Sequence, residues 1–393
     1  MVKKERDEFI NYYVIQQSLK TILLLALHMP DYNQQIKALE EELKKTKYNK
    51  ATQGHFAIVK AKIAMLREKQ ESRVQRKVGK SEHGYSVRKS GDATVLLLGF
   101  PSTGKSTLLN ALTGAHSEVA AYAFTTLSVI PGMLEYKQAS IQILDVPGVV
   151  EGAASGRGRG KEVLAVIRNA DLVLIVVDVL APQQFPTLLK EIREADIRIN
   201  KYHPEVYIKK TSKGGILIGK TVPLEISDDT IRSVLREFKI NNAEVLIRSR
   251  VDIDDFIDCI EGNKKYLPAI ICVSKADIVN DEALKKVMLQ TRADLAVSAT
   301  TGFNLEEAKE FIFRKLNFIR IYMKEPKKEA DVSEPLIITS GSTVGDICNK
   351  LHRDFQNKFK FARIWGSSAK FPGQRLMLNH GVQDKDIVEI HVK

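Results

Sequence analysis

The chain has 393 residues, 44% hydrophobic and 27% charged; these are globular values that exclude a disordered chain and leave room for about two to four domains. Three cysteines, Cys259, Cys272 and Cys348, lack metal-ligand spacing, so no disulfide framework is expected and a reduced, cytoplasmic setting is. The net charge of +12 favours a polyanionic partner.

Residues 9–29 are apolar, but their longest uninterrupted apolar run, Ile22 to Leu27, is far too short to span a bilayer. Asn11, Gln16, Gln17 and Lys20 interrupt the rest, and His28-Met29-Pro30-Asp31 is no small-residue cleavage site, so neither a membrane span nor a signal peptide is expected. Two readings remain for residues 1–31: an amphipathic partner helix, or a start codon placed too early, with Met29 the first residue. From Tyr32 the helical spacing is clean. Ile36, Leu39 and Leu43 form one stripe; Ile58, Val59, Ile63 and Leu66 form a second, across a break at 48–54. Residues 32–77 read as a basic helical hairpin, and a Gly-bearing join runs from there to residue 91. Residues 37–90 carry 15 Lys/Arg against 6 Asp/Glu, whereas residues 180–260 carry 13 of each and residues 333–393 carry 9 against 6. The positive field is thus concentrated in the hairpin, as an RNA grip or as a solvated face.

The stretch 94–107 organises the rest. Val95 to Leu98 reads as a buried strand and runs into Gly99-Phe100-Pro101-Ser102-Thr103-Gly104-Lys105-Ser106, the phosphate-binding P-loop pattern, followed by a helix through Leu112. Gly99 and Gly104 would let the backbone turn its N–H groups on a phosphate; Lys105 would reach the β- and γ-phosphates, and the Ser106 hydroxyl would ligate Mg²⁺. Next, Phe124-Thr125-Thr126-Leu127-Ser128 offers a threonine whose hydroxyl could meet Mg²⁺ while its N–H meets the γ-phosphate. Thr126 is the choice over Thr125. A strand at Ser140–Leu144 delivers Asp145-Val146-Pro147-Gly148, with Asp145 toward the ion and the Gly148 N–H toward the γ-phosphate. The glycines at 152, 156, 158 and 160 then punctuate a loop suited to a switch ordered by that phosphate.

A strand at Leu172–Val177 precedes a departure from the βα alternation. Residues 182–261 read as an inserted α+β module, with strands near 206–208, 216–218 and 244–247 and helices at 230–238 and 254–260. The main domain resumes with a strand at Ala269–Val273 and Ser274-Lys275-Ala276-Asp277. The Asp277 carboxylate can accept two hydrogen bonds from the N1 and N2 edge of guanine, which adenine does not offer. Backbone N–H groups of Ser298, Ala299 and Thr300 would meet O6. A helix from Leu305 to Leu316, a charged linker at 324–334 and a mixed α/β tail complete the chain. The expected division is 1–31; 32–91; a P-loop domain of 92–181 and 262–323; the insert 182–261; and a tail of 333–393 with ubiquitin-like β-grasp character.

The motifs Gly99-Phe-Pro-Ser-Thr-Gly-Lys-Ser-Thr-Leu, Phe124-Thr-Thr-Leu, Asp145-Val-Pro-Gly and Glu151-Gly-Ala-x-x-Gly-Arg-Gly-Arg-Gly resemble those of the developmentally regulated GTP-binding proteins, within the Obg-related GTPases. The tail, with Phe359-Lys-Phe-Ala-Arg-Ile-Trp-Gly366, is similar to the TGS domain that ends those proteins. The insert resembles their module akin to the second domain of a small-subunit ribosomal protein. The resemblance covers roughly residues 32–393 and implies GTP hydrolysis coupled to ribosomes or RNA. Ser274 stands where the family usually has Asn, which puts one amide contact to guanine and to the P-loop in doubt. Residues 1–28 have no counterpart in the pattern. Ser102 holds a place where potassium-dependent relatives carry Asn, which leaves K⁺ activation open.

The expected protein is therefore an α/β P-loop GTPase with a helical hairpin, an inserted α+β module and a TGS domain. It would be a Mg²⁺-dependent GTP switch on ribosomes or structured RNA, with a regulatory protein partner open. Lys105, Thr126 and Gly148 would act on the phosphates, and Ser106, Thr126 and Asp145 would hold the ion. Val149 follows Gly148 where a Ras-like scheme has a water-orienting Gln, so slow intrinsic turnover is expected. The alternatives are a P-loop ATPase or small-molecule kinase, and an RNA-binding scaffold whose nucleotide is structural.

Overall fold

The structure, a computed structural model, describes residues 32–78, 90–114, 120–121, 128–146, 166–326 and 328–392. In chain order, helices α1 (Tyr32–Lys45) and α2 (Gln53–Val78) come first. Then come β1 (Ala93–Leu98), α3 (Lys105–Thr113), β2 (Ala120–Ala121), β3 (Ser128–Tyr136), β4 (Ala139–Asp145), β5 (Leu172–Asp178), α4 (Phe185–Glu194) and β6 (Ile197–Ile199). The next group is β7 (Val206–Lys210), β8 (Ile216–Lys220), α5 (Asp228–Glu237), β9 (Ala243–Ile247) and α6 (Ile253–Glu261). After it come β10 (Lys265–Leu267), β11 (Ala269–Ser274), α7 (Asp281–Thr291), β12 (Leu295–Ala296) and α8 (Leu305–Lys315). The tail holds β13 (Phe318–Met323), β14 (Leu336–Thr339), α9 (Val344–Leu351), α10 (Arg353–Lys358), β15 (Phe359–Trp365), β16 (Gln374–Leu376) and β17 (Ile387–Val392).

The central sheet has the order β12-β11-β5-β1-β4-β3-β2; its first five strands are parallel, and β3 runs antiparallel to β4. An unbroken apolar strand is what a parallel sheet covered on both faces requires. Successive side chains of β1 accordingly go to opposite layers. Leu96 and Leu98 join a core with Leu144, Val173 and Ile175; Val95 and Leu97 join another with Leu108, Leu109 and Leu112 of α3. Parallel strands end together, so β1, β5 and β11 bring their carboxyl-end loops to one edge of the sheet, where such folds hold ligands.

Two boundaries fall elsewhere than the sequence places them. Phe185, Leu188 and Ile192 of α4 and Ile197 of β6 are buried in the same core as Leu96 and Val173, because the apolar face of α4 covers the sheet. Residues 182–199 thus belong to the P-loop domain rather than to the insert. Strand β13 pairs with β14 and β17, so residues 318–323 belong to the tail sheet, of order β14-β13-β17-β15-β16. Helix α9 packs Val344, Ile347 and Cys348 against Ile321, Ala362, Ile364 and Val388 of that sheet, the β-grasp arrangement. A capping box between Thr343 and Asp346 opens the helix.

Residues 32–78 and 204–262 lie in one compact unit. The hairpin closes with Ile36, Leu39 and Leu43 against Val59, Ile63 and Leu66; Ile58, expected in the second stripe, is not part of this cluster. On another side α2 inserts the fully buried Ala57 and Ala61 into the insert's core of Ile231, Val234, Leu235 and Phe256. The insert itself is a three-stranded sheet of order β7-β9-β8 with α5 and α6. All three cysteines are free thiols, and burial pushes those of Cys259 and Cys272 up to about 12. Among the described residues no helix is long and apolar enough to cross a membrane.

Candidate functional site

The loop from β1 to α3 curls as a phosphate cradle must, but its two glycines serve different ends. Gly104 sits at φ 86°, in the left-handed region. Gly99 does not; a Cβ there would lie 2.5 Å from the Val176 carbonyl oxygen and 2.9 Å from Thr103 Oγ1. Its role is close approach of the loop to β5 rather than backbone freedom, which corrects the sequence reading. Ser102 takes a left-handed φ of 63°, and the Thr103 hydroxyl donates to the Phe100 carbonyl at 3.0 Å. Phe100 packs on the core beneath, while Pro101 and Ser102 are exposed.

Lys105 is buried at the start of α3, and its ammonium donates to the carbonyls of Gly99 (3.1 Å) and Phe100 (2.9 Å). Burial holds its pKa below the usual lysine value, partly opposed by the charge of Asp145. Asp145, last residue of β4, accepts a hydrogen bond from the Ser106 hydroxyl. Burial raises its pKa, while that bond and the Lys105 charge pull it down. A helix N-terminus, a buried ammonium, a hydroxyl and a carboxylate thus converge at the end of β1. The chemistry such a group can do is bind an anion with a hard divalent cation.

Across the sheet the 274–277 turn is tied to this loop. The buried Ser274 hydroxyl lies 2.7 Å from the Thr103 carbonyl and 3.2 Å from that of Val177. The tie to the P-loop that the sequence put in doubt is therefore made by a hydroxyl instead of an amide. Lys275, at φ 59°, donates to the Ser102 carbonyl at 2.9 Å and to the Asp178 carboxylate at 2.6 Å. Ala276 is buried and its N–H donates to Val297. Asp277 is exposed, and among the described residues no donor meets its carboxylate. In the neighbouring turn the Ser298 N–H donates to the Phe303 carbonyl and the Ser298 hydroxyl accepts from the Thr301 N–H. Ala299 and Thr300 are the residues of that turn whose N–H groups have no such bond among the described residues.

The structure thus brings Gly99 through Ser106, Asp145, the buried Val146, Ser274 through Asp277 and Ser298 through Thr300 to one edge of the sheet. Ser128 opens β3. Phe124, Thr125, Thr126, Leu127, Pro147 and Gly148 lie outside the described residues. Asp178 is the member that the motifs do not flag. It faces Ser274 in register across the β5–β11 pair, a relation that no run of neighbouring residues reveals.

Residues 94–211 match the family model of 50S ribosome-binding GTPases, residues 213–318 the model of that domain's C-terminal region, and residues 319–392 the TGS domain. An uncharacterized GTP-binding protein of Methanocaldococcus jannaschii is 48% identical over 388 residues, covering 96% of this chain and 98% of that protein. Developmentally-regulated G-protein 2 of Arabidopsis thaliana is 40% identical over 362 residues (91% and 90%). Developmentally-regulated GTP-binding protein 2 of Mus musculus is 40% identical over 359 residues (91% and 98%). Similarity at this level over nearly the whole length, on a P-loop fold with a β-grasp tail, places the chain in the family of developmentally regulated GTP-binding proteins, GTPases that carry a C-terminal TGS domain.

Proposed function

We propose that this protein binds GTP with Mg²⁺, hydrolyses it to GDP and phosphate, and uses that cycle as a switch on ribosomes or structured RNA. The observation that carries the first half is the convergence of Lys105, Ser106 and Asp145 on a loop tied to the Ser274–Asp277 turn. The residues fit magnesium: Ser106 and Asp145 put a hydroxyl and a carboxylate side by side, both hard oxygen donors. Thr126 would add a third. When bound, the ion neutralises charge on the phosphate oxygens.

The chain's own groups do the rest. Loop N–H groups and the α3 N-terminus receive the phosphates. The Lys105 ammonium, which burial disfavours, gains from an anionic partner. Thr126 and Gly148 N–H groups would sense the γ-phosphate. Asp277 accepts from guanine N1–H and N2–H, with Ala299 and Thr300 N–H groups on O6. Val149 cannot orient water, so turnover without a partner is slow.

The second half draws support from the matched description, ribosome-binding GTPases, from the TGS tail and from the excess positive charge of residues 37–90. Co-sedimentation with ribosomes tests it. A non-hydrolysable GTP analogue should pellet the protein with ribosomes and GDP should release it. Equal pelleting in both states, or none in either, contradicts a ribosomal switch.

A further inference from the structure

The residue at the end of β11 decides how much of the base this site can read. Guanine offers donors at N1 and N2 and acceptors at O6 and N7. With guanine as the base, Asp277 meets the donors and the Ala299 and Thr300 N–H groups meet O6. N7 requires a further donor. Ser274 stands three residues before Asp277, and a hydroxyl carries a single proton, where an asparagine amide at that place would carry two. That proton is already committed. Ser274 Oγ is buried with two carbonyl oxygens around it, Thr103 at 2.7 Å and Val177 at 3.2 Å, and a carbonyl only accepts. Turning the proton toward a base would strip the buried Thr103 carbonyl of this donor. The adjacent Ala276 N–H is engaged with Val297, and the Lys275 ammonium with Ser102 and Asp178.

We infer that Ser274 is a positioning residue for the phosphate loop and leaves guanine N7 unread, so that guanine nucleotides with a C–H group in place of N7 bind as well as GTP. The inference rests on the guanine reading of Asp277. It makes the base site a reader of the six-membered ring alone, and names a ligand class, the 7-deazaguanine nucleotides, that an amide at this position would disfavour.

The test is displacement of a fluorescent GDP from the full chain by GTP, 7-deaza-GTP and ATP, for the wild type and for Ser274→Asn and Ser274→Ala. In the wild type, GTP and 7-deaza-GTP should displace within about twofold of each other, since no buried hydrogen bond separates them, while ATP is far weaker. Ser274→Asn, with one N–H for Thr103 and a second for N7, should favour GTP over 7-deaza-GTP by about fivefold or more. Ser274→Ala should weaken both nucleotides alike and leave their ratio unchanged, as loss of a positioning contact would. A wild-type preference for GTP over 7-deaza-GTP of about fivefold or more, with ATP still excluded, overturns the inference alone. ATP competing as well as GTP overturns the guanine reading, and the inference with it. The wild-type comparison decides even if a variant fails to fold.

Discussion

Lys105 and Asp145 sit buried at the end of the central sheet, each pushed by burial away from its ordinary pKa. Lys60 and Asp254, in the hairpin–insert unit, pair at 2.8 Å with about a third of each side chain in solvent. The first pair is held where charge is disfavoured, a cost that the proposed binding of a phosphate and a cation would offset. The second is an ordinary partly exposed ion pair of small worth. In that unit cohesion comes instead from apolar contact, with Ala57 and Ala61 buried against α5 and α6. The contrast separates residues kept for chemistry from residues kept for packing. It also revises the charge map. The insert's zero net charge hides five carboxylates between residues 252 and 262, and Lys60 of the basic hairpin is paired with one of them.

Substitutions on the two sides should therefore have mirrored effects. Asp277→Asn removes a charged acceptor from the base site and should cost GTP binding about 1.5–3 kcal/mol, with unfolding by urea unchanged. Titration with GTP and ATP checks it, and equal losses for both would remove the guanine assignment. Ala61→Leu should do the reverse. Overpacking a filled interface should lower stability by about 1–3 kcal/mol while the folded protein still binds GTP normally. An unchanged urea midpoint would mean that the helix and the insert do not share a tight core.

A subtler effect concerns pH. The folded pKa of Asp145 lies above the carboxylate value of 3.8, so the folded state holds its proton longer than the unfolded chain. Stability is then lost as pH rises from 3.8 to the raised value, and the cost persists above it. Asp145→Asn, which can still accept from Ser106, should stabilise the nucleotide-free protein near neutral pH and not below the ordinary carboxylate range. The same change should abolish the dependence of GTP affinity on Mg²⁺. Urea unfolding across pH with and without the substitution tests the sign; a destabilised variant at neutral pH contradicts it. The smallest effect belongs to Lys60 and Asp254, whose double-mutant coupling should be about 0.2–1 kcal/mol and should fade with salt.

The segments that converge at the end of the sheet were legible because each is a run of neighbours in the chain: Gly99 to Ser106, Asp145 with Val146, Ser274 to Asp277. What stayed hidden depends on partners far apart in sequence. Asp178 meets Lys275 only through strand pairing. Gly99 is required by the backbone of β5, not by its own φ. Strand β3 carries Pro131 and Gly132 at its middle, residue types that favour turns over strand interiors. In the fold a Cβ at Gly132 would meet Thr113 and Leu109 side chains at 2.7 and 2.9 Å, so α3 packs where a side chain would be. The hairpin that joins β3 to β4 turns on Lys137 and Gln138, both at positive φ and neither a residue that announces such a turn. Ala57 and Ala61 carry too little hydrophobic signal to mark a second buried face on α2.

Whether the buried cluster at the end of β1 is a GTP-hydrolysing centre is decided by single-turnover release of phosphate from the purified protein, with GTP or ATP, with Mg²⁺ or a chelator, beside Lys105→Ala. Release from GTP should be slow, should require Mg²⁺ and should be lost in Lys105→Ala, and ATP should release none. Release from ATP at the same rate, or release from GTP that survives removal of Mg²⁺, would contradict that assignment.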